Sequence, residues 1–211
     1  MNIADGLIQY LMLVSLLTFH EFGHAWMAWK CGDDTARLQG RLTLNPLAHI
    51  DPIGTVLLPL AMIFLPAGMG RFLVGWARPV PVNPTQFNHP ERDEAFVTLA
   101  GPGMNLILAI LLVAVAKAAA VFQAPGVVGY CLQAAELSLV LCFFNLIPIP
   151  PLDGSHLLRL AIGMTWETYM TFARFGFILV IIILQVPLVR VLLAGAVGGT
   201  LSILAGLFGL S

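Results

Sequence analysis

His20-Glu21-Phe22-Gly23-His24 places two histidines four residues apart, with a glutamate directly after the first. On a helix, positions i and i+4 project from one face, so both imidazoles can reach one metal ion. Glu21 can hold a water beside that metal and take its proton. Zinc lowers the pKa of such a water to about 7. Five histidines and five glutamates in 211 residues would give this pattern by chance roughly 0.003 times. Against it stands the blander reading of a satisfied polar cluster gluing helices together.

Two histidines do not complete a catalytic zinc site, which typically has three protein ligands and an open position. Asp51, Glu136 and Asp153 are the carboxylates in apolar or motif-like surroundings. Asp153 ends the run Asn145-Leu-Ile-Pro-Ile-Pro-Pro-Leu-Asp153 and is followed by Gly154. Prolines 148, 150 and 151 must break the preceding helix, and Gly154 permits a sharp turn. Irregular backbone at membrane depth is tolerated only where it is buried or lines a polar cavity. That favours Asp153.

The elements that must position these residues are hydrophobic. The chain is 59% hydrophobic and 10% charged, with a mean hydropathy of +0.91, against about 25% charged in ordinary soluble domains. Lipid as solvent removes the conflict of so greasy a surface. A net charge of −1 gives no argument for a nucleic-acid partner. Cys31, Cys131 and Cys142 lack CxxC spacing and read as small buried hydrophobes.

Hydropathy yields five segments long enough to cross a bilayer as helices, at about 20 residues each. They are residues 3–29, 94–121, 127–144, 165–186 and 187–210. The first lacks a basic leader and a cleavage site, so it reads as a retained span. Residues 52–70 are apolar but too short and too rich in Pro and Gly for an ordinary span. Residues 35–44, TARLQGRLTL, alternate about Gln39-Gly40 and predict a β-hairpin. Residues 71–82 have extended character. The fold expected is an all-α polytopic membrane protein. It would have five to six transmembrane helices, a re-entrant segment, and small β elements at the cytosolic face.

Basic residues Lys30, Arg37 and Arg41 follow the first span, which places its C-terminal end in the cytosol. HEFGH and the Asp153 loop both lie near the C-terminal ends of their spans. To meet at one metal, those spans must run in the same direction, with residues 94–121 as the reversed crossing between them. Residues 52–82 must then cross an even number of times, and 31 residues are too few for two helices of about 20. A re-entrant element fits.

With HEFGH at 20–24 and N-x-x-P-x-x-x-x-D-G at 145–154, the chain resembles the site-2 proteases, a family of intramembrane zinc metalloproteases. Ala100-Gly101-Pro102-Gly103-Met104-Asn105 opening a span reinforces the likeness. Asn45-Pro46 through His49-Ile50-Asp51-Pro52, and Gly75-Trp76 through Pro84, are similar to the compact bacterial branch. The resemblance implies His20, His24 and Asp153 as ligands of one Zn2+ per chain, and Glu21 as catalytic base. It implies that Asn145 holds the substrate strand or the oxyanion. It also implies a single membrane metalloprotease domain over 1–211, with a catalytic core at 3–160 and further helices at 165–211. PDZ and CBS-type regulatory domains are absent from this pattern.

The activity expected is hydrolysis of peptide bonds inside transmembrane segments of other proteins, in a bacterial plasma membrane, with the site toward the cytosol. Partners would be the bilayer and a transmembrane substrate, without nucleic acid. His49 could polarise the scissile carbonyl or only cap a turn beside Pro52. Asn105 more often glues helices than touches substrate. Glu136 could line a water path or pair with a neighbour. His89 and His156 read as interfacial, with His156 close enough in sequence to support Asp153. Two rival readings are a catalytically dead homologue that retains membrane clients and a transporter with a midplane zinc site. An intact Glu21 speaks against the first, and the lack of inverted repeats against the second.

Overall fold

The computed structural model describes residues 3–64, 73 and 75–210. The chain divides into two compact units, Met1–Pro90 and Glu91–Ser211.

The first unit opens with α1, Ile3–Lys30. Leu13, Leu16, Leu17, His20, His24 and Ala28 are among its buried positions, a stripe at the three-and-four spacing of one helix face. The same stripe that packs α1 therefore carries both imidazoles. α1 packs on α2, Thr35–Leu38, on α3, Leu58–Phe64, and on the 3₁₀ turn Pro46–Ala48. It stops at Gly32, whose φ is +102°. There Asp33 N–H returns to Ala28 O and Gly32 N–H to Trp29 O, at 2.9 and 3.2 Å. These two bonds close the helix and satisfy carbonyls its last turn would leave open.

No strand occurs among the described residues, so the hairpin expected over residues 35–44 is corrected. Asp33 Oδ1 accepts from Thr35 N–H at 2.9 Å and starts the turn of α2. Gly40, at φ +68°, ends it. Arg41 N–H bonds Ala36 O, and Gly40 N–H bonds Arg37 O. Gln39-Gly40 is a helix cap where sequence alternation suggested a hairpin turn.

A short apolar helix follows Pro52. A π-helical turn, Pro52–Leu57, runs into α3. Together they rise about 20 Å, short of a bilayer core of about 30 Å. Asp51 caps the start, its Oδ1 accepting from Ile53 N–H at 3.0 Å and Gly54 N–H at 2.6 Å. Of the extended stretch expected at 71–82, residues 71, 72 and 74 lie outside the described residues. Residues 75–83 are neither helix nor strand. A Cβ on Gly54 would lie 2.3 Å from the Trp76 ring, and one on Gly75 would lie 2.5 Å from Gly54 O. Only hydrogen at both positions lets this segment lie on the helix start.

The second unit holds α4, Pro90–Val121, α5, Pro125–Asn145, α6, Gly154–Ala161, α7, Trp166–Ala173, α8, Gly176–Gln185, and α9, Pro187–Leu207. Prolines 90, 125 and 187 stand at the first helical position, where a missing N–H costs nothing. Ala109 and Val113 of α4, Ala135 and Leu139 of α5, and Val197 and Leu204 of α9 form one core. Ser138 Oγ donates to Asn105 O at 2.7 Å across the α4–α5 contact. Asn105 is fully buried, which suits the helix-gluing role. Ile107, Leu111, Phe177, Ile181, Leu188 and Val191 lie exposed on the helices, an exterior suited to lipid.

α1, α4, α5 and α9 are each long and apolar enough to cross a membrane. The segment expected as one span at 165–186 is instead two helices, α7 and α8, bent by 63°. Among the described residues the candidate spans therefore number four, or five if the bent pair is one span, against the expected five to six. The break has a packing reason: a Cβ on Gly176 would lie 2.5 Å from Pro150 O, so α8 begins directly against the proline loop.

Candidate active site

α1 brings His20 and His24 together in the first unit. Both are buried, with Nε2 atoms 3.1 Å apart and rings crossing at 82°. Two nitrogens at that separation can each lie about 2.0–2.1 Å from one ion, the usual Zn–N length. The pair therefore fits zinc. Glu21, the residue after His20, accepts at its Oε2 from Val80 N–H at 2.8 Å.

The segment carrying Val80 is held at every second residue. Trp76 N–H donates to Gly54 O at 3.2 Å and Arg78 N–H to His49 O at 2.9 Å. Thr55 Oγ1 donates to Trp76 O at 2.7 Å. Arg41 Nη2 donates to Arg78 O at 2.6 Å and to Pro79 O at 3.2 Å. Arg41 is only 6% exposed, so it is not the surface charge its place after the first span suggested. Burial lowers its pKa from the ordinary arginine value, and the Glu21 carboxylate pulls it back up.

His49 is 2% exposed. Its Nε2 donates to Thr43 O at 2.9 Å, since a carbonyl can only accept. Its Nδ1 is buried without a hydrogen-bond partner. The ring thus braces the turn at residues 43–49, while its carbonyl holds Arg78. Asp51 is occupied as the helix cap described above, and its own N–H is taken by Thr55 Oγ1 at 2.9 Å.

The second unit places Asn145 and Asp153 at the two ends of one irregular loop. Asn145 is the last residue of α5, and its Nδ2 donates to Leu141 O at 2.8 Å. Asp153 stands directly before α6 and its side chain does not cap that helix. Gly154 does not take a left-handed turn. A Cβ there would lie 2.2 Å from Leu146 O, so glycine is required by close backbone approach. The loop ends rigidly, with Ser155 Oγ donating to Leu152 O at 2.6 Å.

A polar brace then fixes α6. Arg159 Nη2 donates to Glu94 Oε2 of α4 at 2.5 Å, and His156 Nδ1 lies 3.5 Å from Glu94 Oε1. Tyr169 OH of α7 lies 3.1 Å from His156 Nε2 and 3.0 Å from Ser155 Oγ. Sequence reasoning missed this brace, because its members come from three separate helices. It also missed Val80, which acts through a main-chain N–H that no residue type advertises. Arg41 carried a weak signal as a charge within an alternating apolar stretch. Glu136 is half-buried on α5, and His89 is exposed.

No solved structure matches the chain. Among named proteins, it is 39% identical over 193 residues to "Putative zinc metalloprotease YwhC" of Bacillus subtilis (strain 168), covering 87% of this chain and 83% of that one. It is 33% identical over 183 residues to "Putative zinc metalloprotease Rip2" of Mycolicibacterium smegmatis, covering 81% and 64% respectively. The Rip2 of Mycobacterium tuberculosis (strain ATCC 25618 / H37Rv) is 42% identical over 144 residues, covering 67% of this chain and 52% of that one. The family model described as "Peptidase family M50" matches residues 8–133 and 113–184. The chain thus belongs to peptidase family M50, the site-2 protease family its motifs resemble, and is a multi-pass membrane zinc metalloprotease.

Proposed function

We propose that this protease cuts peptide bonds inside the transmembrane segments of other membrane proteins, after an earlier cut has shortened them. The observation that carries the reading is the convergence of His20 and His24 Nε2, 3.1 Å apart, on a helix apolar enough to span a membrane. His20 lies ten residues before Lys30, which is roughly 15 Å along a helix. A bond cut at that depth belongs to a transmembrane helix. Such a helix shields its amides, so the substrate must unwind before attack. An extended neighbour such as residues 75–83 offers a main-chain edge for the unwound strand.

In this reading one zinc per chain is held by His20, His24 and Asp153, the donor types of catalytic zinc. The first two are buried and the third half-buried. When bound, zinc acidifies a water and polarises the scissile carbonyl. Glu21 takes the proton, its carboxylate anchored by Val80 N–H. Asn145 donates to the substrate main chain or the developing oxyanion, and His49 assists at the carbonyl. The chain works as one domain of a bacterial plasma membrane, with the site toward the cytosol.

The test is co-expression with a panel of tagged single-span proteins, some truncated on the outer side. Fragments that need both zinc and Glu21 are expected from truncated members. A panel that stays intact in every pairing would sink the assignment of membrane-embedded substrates. For Asn145, loss of one donor to an oxyanion costs about 10²–10³ in kcat. Asn145→Ala should therefore keep its zinc by metal analysis and cleave a reconstituted substrate slower by about that factor. Unchanged kinetics would reduce Asn145 to a residue that ends α5.

A further inference from the structure

Glu21 is oriented by a donor that is itself unsupported by any sheet. Val80 lies in residues 75–83, where no strand ladder fixes the register. Something else must hold the peptide that faces Glu21. Arg41 Nη2 reaches two consecutive carbonyls, Arg78 O and Pro79 O, and Pro79 O belongs to the very peptide group whose nitrogen is Val80 N. Arg41 thus grips one end of a planar unit, and Glu21 receives the hydrogen at the other end, 2.8 Å away. Peptide planarity makes the grip rigid.

The placement of Arg41 is specific. Its backbone N–H closes the cap of α2 on Ala36 O, which fixes the residue relative to α1 through the α1–α2 packing. Arg41 is buried, its Nε has no hydrogen-bond partner, and the Glu21 carboxylate supports its charge while Arg78 opposes it. A buried cation spent on two main-chain carbonyls is costly merely to stabilise a loop. Any neutral donor could bond a carbonyl there.

We propose that Arg41 is a positioning residue for the catalytic base: by clamping the Arg78–Pro79–Val80 main chain, it holds Val80 N–H against Glu21. The inference rests on Glu21 being the base, as proposed above. Loss of the clamp lets the peptide rotate, and Glu21 then samples rotamers that do not face the substrate water. Zinc binding does not depend on the clamp, because His20 and His24 are set by α1 itself. Turnover should fall while substrate binding holds.

The experiment compares wild type, Arg41→Gln, Arg41→Lys, Val80→Pro and Arg41→Gln/Val80→Pro in reconstituted full-length protein. Three readouts are zinc content, hydrogen exchange of peptides covering residues 75–83, and kcat with KM on a cleavable transmembrane substrate. Expected for Arg41→Gln is normal zinc, faster exchange at Val80, and kcat lower by about 10-fold or more with KM within about twofold. Arg41→Lys should recover part of both, because it keeps the charge and a donor nitrogen but not the planar guanidinium. The double variant should be no slower than Val80→Pro alone, since both remove one interaction. Unchanged exchange at Val80, or additive losses in the double variant, would overturn the clamp. So would loss of zinc from both Arg41 variants, which would make Arg41 a folding residue. Glu21→Gln is run alongside: if it still turns over, the base assignment has failed, whereas the exchange result judges Arg41 without any turnover.

Discussion

Glu21→Gln should bind zinc at wild-type stoichiometry and lose cleavage by about 10²–10⁴-fold, the usual contribution of a positioned acid–base group. The substitution is unusually clean here. Glutamine keeps the length of the side chain and still offers a carbonyl oxygen to Val80 N–H, at the position Oε2 occupies 2.8 Å away. The clamp and the helix therefore survive, and only proton acceptance is lost. The imidazoles lie on the buried stripe of α1 and do not depend on Glu21 for their place. The measurement is a zinc assay paired with single-turnover cleavage in proteoliposomes. A variant that turned over within about tenfold of wild type would exclude Glu21 as the base, whatever the metal content.

The second large effect is expected at the carboxylates. Asp153→Ala should weaken zinc binding by well over 100-fold, given that losing only a residue that orients a ligand costs about 10–100-fold. Asp153 provides no helix cap, so its removal should leave α6 intact. Asp51→Ala makes the contrast. Its carboxylate is spent on Ile53 and Gly54 N–H, and losing such a cap costs about 1 kcal/mol of stability. That variant should melt a few degrees lower and keep its metal. Metal analysis of the two purified proteins, with thermal melts, separates the cases. Zinc lost from Asp51→Ala and kept by Asp153→Ala would mean the wrong carboxylate was chosen.

The contrast between these aspartates also shows what a sequence can convey. Asp-Pro-x-Gly at 51–54 carries a local cap signature, with proline at the first helical position. HEFGH was legible for the same reason, because five consecutive residues on one helix define their own geometry. Residues 35–44 were misread because Gln39-Gly40 suits a hairpin turn and a helix cap equally. The deciding contact, Arg41 N–H to Ala36 O, is not a matter of residue type. The break between α7 and α8 was hidden for a different reason. It depends on Gly176 meeting Pro150 O, a contact between residues far apart in the chain. The Glu94–Arg159 pair spans 65 positions and could not be read from either partner alone.

The hydrogen bond between Val80 and Glu21 has a consequence for how this chain can change. Residues 79–81 read Pro-Val-Pro, and proline has no N–H to give. A slide of one residue in either direction would set a bare ring nitrogen opposite the carboxylate. The nearest misalignments are therefore mute, with no weaker contact to settle into, and the segment behaves like a ratchet tooth with a single seat. Insertions or deletions upstream cannot be taken up by creeping along α1. They must be absorbed without shifting the seated segment from Trp76 to Val80.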